Sequence, residues 1–172
     1  QRFEPLLPGS HLYFSDTWAA GDPYLTWGNF KVIGRGPMLA GLTENWDSSD
    51  ENWEGKTHGG PKGDTFWDTK VELVPETIIC ECEPTSYPRA PVSKKRVWFD
   101  ARTGLPLVMV TYDRKGEMFK SFDGAYPVYD DNGKQLMDGK YQYLSWTHVH
   151  AHDVLSDHIS LLNQVQELSG GW

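Results

Sequence analysis

The sequence has few cysteines and no long hydrophobic run. Two cysteines in 172 residues are too few for a disulfide scaffold, so they do not identify the redox compartment. No apolar run approaches the roughly 20 residues that a membrane-crossing helix needs, so we expect no membrane span. No signal peptide is visible and the chain opens at Gln1 rather than Met, which favours a processed product or a fragment.

Positive charge is also scarce. The chain carries 16 Lys and Arg against 24 Asp and Glu, a formal net charge of −8. Such a surface repels phosphate backbones, so we expect no nucleic-acid partner. The sequence lacks a phosphate loop, a Gly-x-Ser-x-Gly elbow and a His-Glu-x-x-His helix, and Gly34-Arg35-Gly36 does not have dinucleotide spacing. We therefore expect a non-enzymatic protein.

The second half of the chain is organised as short strands. The length fits a single domain over residues 1–172. Apolar and β-branched patterns predict strands, which are expected at 30–34, 71–74, 78–82, 95–100, 107–112, 117–122 and 140–150. Pro75 is expected to divide the second and third of these, and three prolines disfavour a strand before Ser93. The turns at 101–104 and 113–116 both end in Gly, as type I turns favour.

The remaining segments are less regular. Residues 41–68 are rich in turn formers and contain Trp46, Trp53 and Trp67, which predicts a long Trp-rich surface loop. Residues 130–133 predict a hairpin turn. Residues 156–168 fit a helix capped by Ser156, and a strand over 159–162 is the competing interpretation.

Several segments resemble one bacterial family of unknown function in the LolA/LolB-like superfamily, whose members are described as outer-membrane lipoprotein-sorting proteins. The matching segments are PRAP at 88–91, KRVWFDARTGLP at 95–106, YDRKGEMFK at 112–120, and the later pairs Asp153-Val154 and Asp157-His158. The resemblance covers residues 70–160. It implies a mainly β protein, with a strongly curved antiparallel sheet that forms an unclosed barrel and one or two short helices. In the carriers of this superfamily an apolar concave face receives acyl chains, and the resemblance implies a periplasmic location.

The apolar positions of the expected meander predict a ligand-binding face. Its candidate residues are Trp98, Leu107, Met109, Phe119 and Trp146, with Phe122 as an alternative to Phe119. Half-buried sheets generally show such alternation, so the same residues also fit an ordinary core packed against a helix.

Four histidines near the end of the chain are candidate metal ligands, namely His148, His150, His152 and His158. Residues two apart in a strand share a face, about 7 Å apart, so two neighbouring imidazoles can reach one ion. His158, Asp153 or Asp157 would complete a site for Zn, Cu, Ni or Fe. The alternative is a polar strand end whose histidines face solvent. Cys80 and Cys82 are expected to be small buried residues rather than a disulfide.

The sequence thus predicts a periplasmic, non-enzymatic module that binds a lipid, a lipoprotein or another apolar ligand on a curved sheet. Two other functions compete with it. One is a metal-binding subunit that uses the histidines. The other is an accessory subunit that docks to a larger protein through its Trp-rich loop, because tryptophans are enriched at interfaces.

Overall fold

The computed structural model of the chain describes residues 27–43, 70–127 and 148–163. These residues form seven strands, which are β1 (Gly28–Thr43), β2 (Lys70–Glu83), β3 (Val92–Asp100), β4 (Pro106–Asp113), β5 (Met118–Pro127), β6 (His148–Asp153) and β7 (His158–Asn163). Residues 41–43 of the expected Trp-rich loop belong to β1. The rest of that loop, the hairpin expected at 130–133 and residues 140–147 of the last expected strand, with Trp146, lie outside the described residues.

All seven strands belong to one sheet in the order β1 to β7, and each neighbouring pair is antiparallel. The sheet also returns on itself, because the end of β1 pairs in parallel with the end of β5 over three residue pairs that begin with Gly41 and Ala125. This pairing is confined to one end of β1. The strands therefore form a ring that is not a closed barrel, and the predicted curved, unclosed antiparallel sheet is confirmed.

The direction of the bend follows from a cluster that joins strands far apart in the sheet order. Leu107 of β4 packs with Ala40 of β1 and Val74 of β2, and all three are buried. Strands that are not neighbours can share such a cluster only if the sheet curls toward it. The face of β4 that carries Leu107, Met109 and Thr111 is called the inner face below.

Two further clusters occupy the inner face. The central cluster contains Val97, Met109, Phe122, Val149 and Ala151, with Phe99 packed against it. The end cluster contains Trp27, Cys82, Ala90 and Val92, with Tyr87 and Phe119 packed against it. Burial of such apolar side chains is the main favourable contribution to folding.

Both turns of the meander have the residues that the sequence predicts. Gly104 and Gly116 have φ angles of 75° and 85°, in the left-handed region that glycine adopts without strain. The Asp113 carboxylate accepts hydrogen bonds from the backbone N–H groups of Lys115 and Glu117 at 2.8 and 2.9 Å. The Gly-ending turns predicted at 101–104 and 113–116 are therefore confirmed.

Pro75 does not divide two strands, because β2 runs without interruption through it. The pairing of β1 with β2 shifts between Gly36 and Met38, opposite Pro75. Proline cannot donate to a ladder but is tolerated at such an irregularity. The expectation of two separate strands was wrong for this reason.

The helix expected over 156–168 is also not formed where the chain is described. His158–Asn163 is strand β7, paired with β6 along its whole length, so the competing strand interpretation is confirmed. This six-residue segment gains a ladder of hydrogen bonds from an adjacent strand edge, and this outweighs a weak helical propensity. Within the described residues, no helix has the length and apolar character that crossing a bilayer requires.

Candidate functional site

The expected apolar face is present, but it does not contain every predicted residue. Leu107 and Met109 lie on the inner face, and Phe119 packs against the end cluster. Trp98 is the exception. It pairs with Val108 and alternates with Val97 along β3, so it lies on the opposite, outer face. Trp98 and Met109 therefore do not share one surface.

A row of polar residues crosses the inner face from strand to strand. Direct cross-strand pairing aligns one residue from each of six strands, in the order Cys82, Lys95, Thr111, Lys120, Asp153 and His158. Directly paired residues have Cβ atoms about 5 Å apart. We call the six residues the polar row. It lies beside the central cluster and shares Cys82 with the end cluster.

Most of the polar row is buried. The exposed fractions are 4% for Lys95, 0% for Thr111, 1% for Lys120 and 6% for Asp153. The Thr111 hydroxyl oxygen is buried and has no hydrogen-bond partner among the described residues. Burying an ammonium group or an unsatisfied hydroxyl is costly. Such a row is therefore a specific feature of this sheet that an ordinary apolar core would not contain.

Aromatic rings lie beside both buried ammonium groups. Lys95 Nζ lies 4.2 Å from the ring centre of Trp27, and Lys120 Nζ lies 5.0 Å from that of Phe119. A desolvated cation gains about 2 kcal/mol over an aromatic face. Both rings belong to the end cluster, so the row and that cluster form one continuous surface.

Asp153 is the acidic residue of the row. Its Oδ1 accepts hydrogen bonds from the backbone N–H groups of Leu155 and Ser156 at 3.1 and 3.2 Å. The carboxylate thus closes the turn between β6 and β7 while it lies beside Lys120. Asp153 therefore has a structural role as well as a place in the row.

This row was not predicted from the sequence. Lys95 is two residues from Val97, and Lys120 is two residues from Phe122, so the period of a strand places each lysine on the apolar face. This two-residue period is the signal in the sequence that places both lysines on the inner face. Because lysine is rarely buried, the same pattern also fits ordinary half-buried strands.

Cys82 ends the row, and neither cysteine forms a disulfide. Burial raises the pKa of the Cys82 thiol to about 11, and burial also raises the pKa of Cys80. A neutral thiol is a poor nucleophile and a poor metal ligand. Cys82 is buried and Cys80 half-buried, close to the predicted role as small packing residues.

The outer face carries a separate charged cluster around Glu81. Its carboxylate lies 2.9 Å from Arg96 Nη2, 3.0 Å from Lys31 Nζ and 3.2 Å from Lys94 Nζ. Hydrogen bonds from Arg96 and then Lys31 are the main reason that the pKa of Glu81 falls to about 2. Three cations around one buried carboxylate stabilise the β1–β2–β3 region, but they leave no free acid for catalysis.

The predicted metal ligands are divided between the two faces. His150 and His152 are two apart in β6, whereas His158 pairs with Asp153 and lies on the inner face. His152 Nε2 lies 2.9 Å from Asp157 Oδ1. Of His148 only the backbone is described, in β6. Within residues 27–43, 70–127 and 148–163, no group of three or more His, Cys, Asp or Glu could hold a metal ion.

Asp123 is a further acid on the outer face, directly paired with His150. Burial raises its pKa to about 6, against smaller opposing effects of Ser121 and His152. An acid with such a pKa can take up or release a proton near neutral pH. Asp123 could not be predicted from the sequence, because its burial depends on neighbouring strands.

Comparison with known proteins identifies the family. Residues 5–171 match the family described as protein of unknown function DUF1329, so this chain belongs to that family, and the family resemblance predicted from the sequence is confirmed. None of the curated proteins matches the chain. A crystal structure described as an outer membrane lipoprotein-sorting protein domain from Vibrio parahaemolyticus is similar at 24% identity, with a TM-score of 0.39. The similarity covers 55% of this chain and 38% of that one, so the chain spans well under half of that protein's length.

Proposed function

We propose that this DUF1329 protein is a non-enzymatic periplasmic module that binds a lipid, a lipoprotein or another apolar ligand on the inner face of its sheet. The observation that carries the proposal is the central cluster. Val97, Met109 and Phe122 come from three adjacent strands and form one apolar surface, inside a sheet that is bent but not closed. An acyl chain would be bound there by burial of its methylene groups, at about 0.8 kcal/mol each.

A ligand would enter where the ring of strands is weakest. The β1–β5 contact comprises three residue pairs. At Gly41, a Cβ atom would come within 3.1 Å of the Gly124 carbonyl oxygen and 3.3 Å of Ala125 Cβ. The close approach therefore depends on the glycine, and separating the two strands would break few hydrogen bonds. Opening there would expose the inner face while the β2–β5 meander stays intact.

The periplasmic location is a separate part of the proposal. It comes from the sequence resemblance of residues 88–120 to lipoprotein-sorting proteins, which act in that compartment. Fractionation of cells that produce the full-length protein from its own gene would test it. Recovery in the cytoplasmic fraction would contradict the location without affecting ligand binding.

Extraction and binding measurements test the ligand-binding function. The protein is purified without detergent, extracted with organic solvent, and the extract is analysed by mass spectrometry. In parallel, a fluorescent apolar probe such as N-phenyl-1-naphthylamine is titrated into the protein. We expect a co-purified apolar molecule and saturable probe binding. An empty extract together with no saturable binding would overturn the proposal.

Two tryptophan variants identify the face that binds. Val149→Trp adds bulk to the central cluster, whereas Leu73→Trp adds the same side chain to a position on β2 that is 63% exposed. We expect the first to weaken probe binding at least tenfold and the second to leave it unchanged. Circular dichroism checks that both variants fold, and Ala151→Val is the milder variant if Val149→Trp does not. Equal binding by both folded variants would place the ligand elsewhere.

A further inference from the structure

The polar row contains three residues with donor groups on consecutive strands. Thr111 of β4 pairs with Lys95 of β3 on one side and with Lys120 of β5 on the other. The two lysine Cβ atoms are therefore about 10 Å apart, with Thr111 midway. Lysine side chains are long and flexible, so both ammonium groups can reach a ligand atom placed above Thr111.

The donors of these residues suit an anion. Each ammonium group carries three N–H donors, so each can bind an anion and keep the contacts that it makes within the protein. Both lysines are almost fully buried, where water screens charge weakly and a hydrogen bond to a charged group is strong. A neutral ligand would gain much less from this position than a carboxylate or a phosphate.

The Thr111 hydroxyl supports a bound ligand independently of the lysines. It is fully buried, and its oxygen has no hydrogen-bond partner among the described residues. A buried polar group that stays unsatisfied costs about 1–3 kcal/mol. A valine would have nearly the same shape without that cost, so the hydroxyl at this position points to a bound partner that accepts its hydrogen bond.

Apolar side chains border the three residues along the strands. Val97 and Phe122 of the central cluster lie two positions from Lys95 and Lys120. A ligand with its charged end at Thr111 would therefore place an attached hydrocarbon chain directly on the central cluster. The arrangement fits an amphiphile with a single anionic end.

We propose that Lys95, Thr111 and Lys120 form an anion site that holds the carboxylate or phosphate headgroup of an acidic amphiphile. The inference rests on the proposed function, since it identifies the chemical class of the ligand that the inner face binds. Asp153 beside Lys120 would orient that lysine without entering the headgroup contact.

Paired probes that differ only in charge test the site. cis-Parinaric acid and its methyl ester are titrated into the full chain at pH 8, where the acid is ionised. We expect the acid to bind at least tenfold more tightly, since charge-assisted hydrogen bonds contribute about 1.5–3 kcal/mol and 1.4 kcal/mol is a factor of ten. Competition by a fatty acid and by a lysophosphatidic acid of equal chain length then distinguishes a carboxylate from a phosphate ligand.

Variants assign the preference to the three residues. Thr111→Val and Lys120→Met should each weaken binding of the acid about tenfold and leave binding of the ester unchanged. Lys115→Met removes the same charge from an exposed turn and should change neither. Circular dichroism monitors folding. If Lys120→Met does not fold, the single variants Thr111→Val and Lys95→Met test the anion site instead.

The possible failures can be told apart. Equal affinity for acid and ester, unchanged by the variants, would overturn the anion site and leave the proposed function standing, with the polar row serving only to hold the strands. No binding of either probe would contradict the proposed function itself. Lys115→Met could also remove the preference for the acid as completely as Lys120→Met does. That result would mean a general charge effect and would also overturn the site.

Discussion

Lys120 and Asp153 are directly paired across β5 and β6 on the inner face, and both are buried. The sheet thus places opposite charges side by side among apolar clusters. The Val154 N–H donates to the Phe119 carbonyl oxygen at 2.9 Å immediately beside them, so backbone hydrogen bonding between the two strands continues past Asp153. The pair joins the proposed headgroup site to the turn that supports β7.

Removal of the Asp153 carboxylate should destabilise the protein strongly. We expect Asp153→Ala to lower the free energy of unfolding by about 3 kcal/mol, because it leaves a buried ammonium group beside an apolar side chain and removes the acceptor of two backbone N–H groups. Asp153→Asn keeps that acceptor and should cost less. Urea unfolding measures both. Glu117→Ala, at an exposed position, should stay within about 0.5 kcal/mol of the parent, and an equally small effect of Asp153→Ala would contradict the role of the pair.

Glu81 should make the protein sensitive to acid. Its pKa is lowered to about 2 from an ordinary 4.5, so its stabilising contribution is present above about pH 4.5 and is lost as the pH falls toward 2. We expect Glu81→Gln to cost about 2 kcal/mol at pH 7 and almost nothing near pH 2. Unfolding curves at several pH values provide the measurement.

A matched ion pair controls for charge alone. Glu76 lies 3.0 Å from Arg35, but both side chains are more than half exposed, so Glu76→Gln should have an effect of less than about 1 kcal/mol. If Glu81→Gln and Glu76→Gln lowered the free energy of unfolding equally at pH 7, the burial of Glu81 would not add to its stabilising effect.

Asp123 should change the stability with pH in the direction opposite to Glu81. Burial raises its pKa to about 6 from an ordinary 3.8, so the folded state holds the proton more tightly and stability falls as the pH rises from about 4 through 6. Asp123→Asn cannot ionise and should therefore be more stable than the parent by about 2 kcal/mol at pH 8. The difference should disappear below pH 4. If the stability difference between Asp123→Asn and the parent were the same at pH 8 as at pH 4, the raised pKa of Asp123 would be contradicted.

The turn glycines should be less replaceable than a strand glycine. Gly104 and Gly116 have positive φ angles, and no atom lies within 4 Å of a Cβ placed on either. Replacement by alanine should therefore cost about 1 kcal/mol through backbone strain alone. Gly36 has the same open surroundings without a positive φ, so Gly36→Ala should be neutral or slightly stabilising. Thermal unfolding of the three variants compares them directly.

Much of the sheet could be predicted from the sequence because its signals are local. Alternation of apolar residues and the Gly-ending turns predicted β3, β4 and β5, although β3 begins three residues earlier and β5 ends five residues later than expected. β7 was harder. Its six residues fit both a short helix and a strand, and only the open edge of β6 favours the strand.

The site was less predictable, because local signals do not show how different strands align. Met109 and Leu107 were correctly expected on one apolar face, since both positions follow the period of a single strand. The grouping with Trp98 failed, because the register that pairs Val97 with Met109 and Trp98 with Val108 cannot be identified from either strand alone.

The sequence by itself determined the family, the strand-rich class and the apolar period of the meander, all of which depend on residues close together in the chain. Only the tertiary structure decided which residues from different strands stand side by side. Register aligned Lys95, Thr111 and Lys120 into one buried row and separated His158 from His150 and His152. A shift of register by one residue would exchange the two faces, so pairing across strands, which no local pattern encodes, is what placed the candidate site.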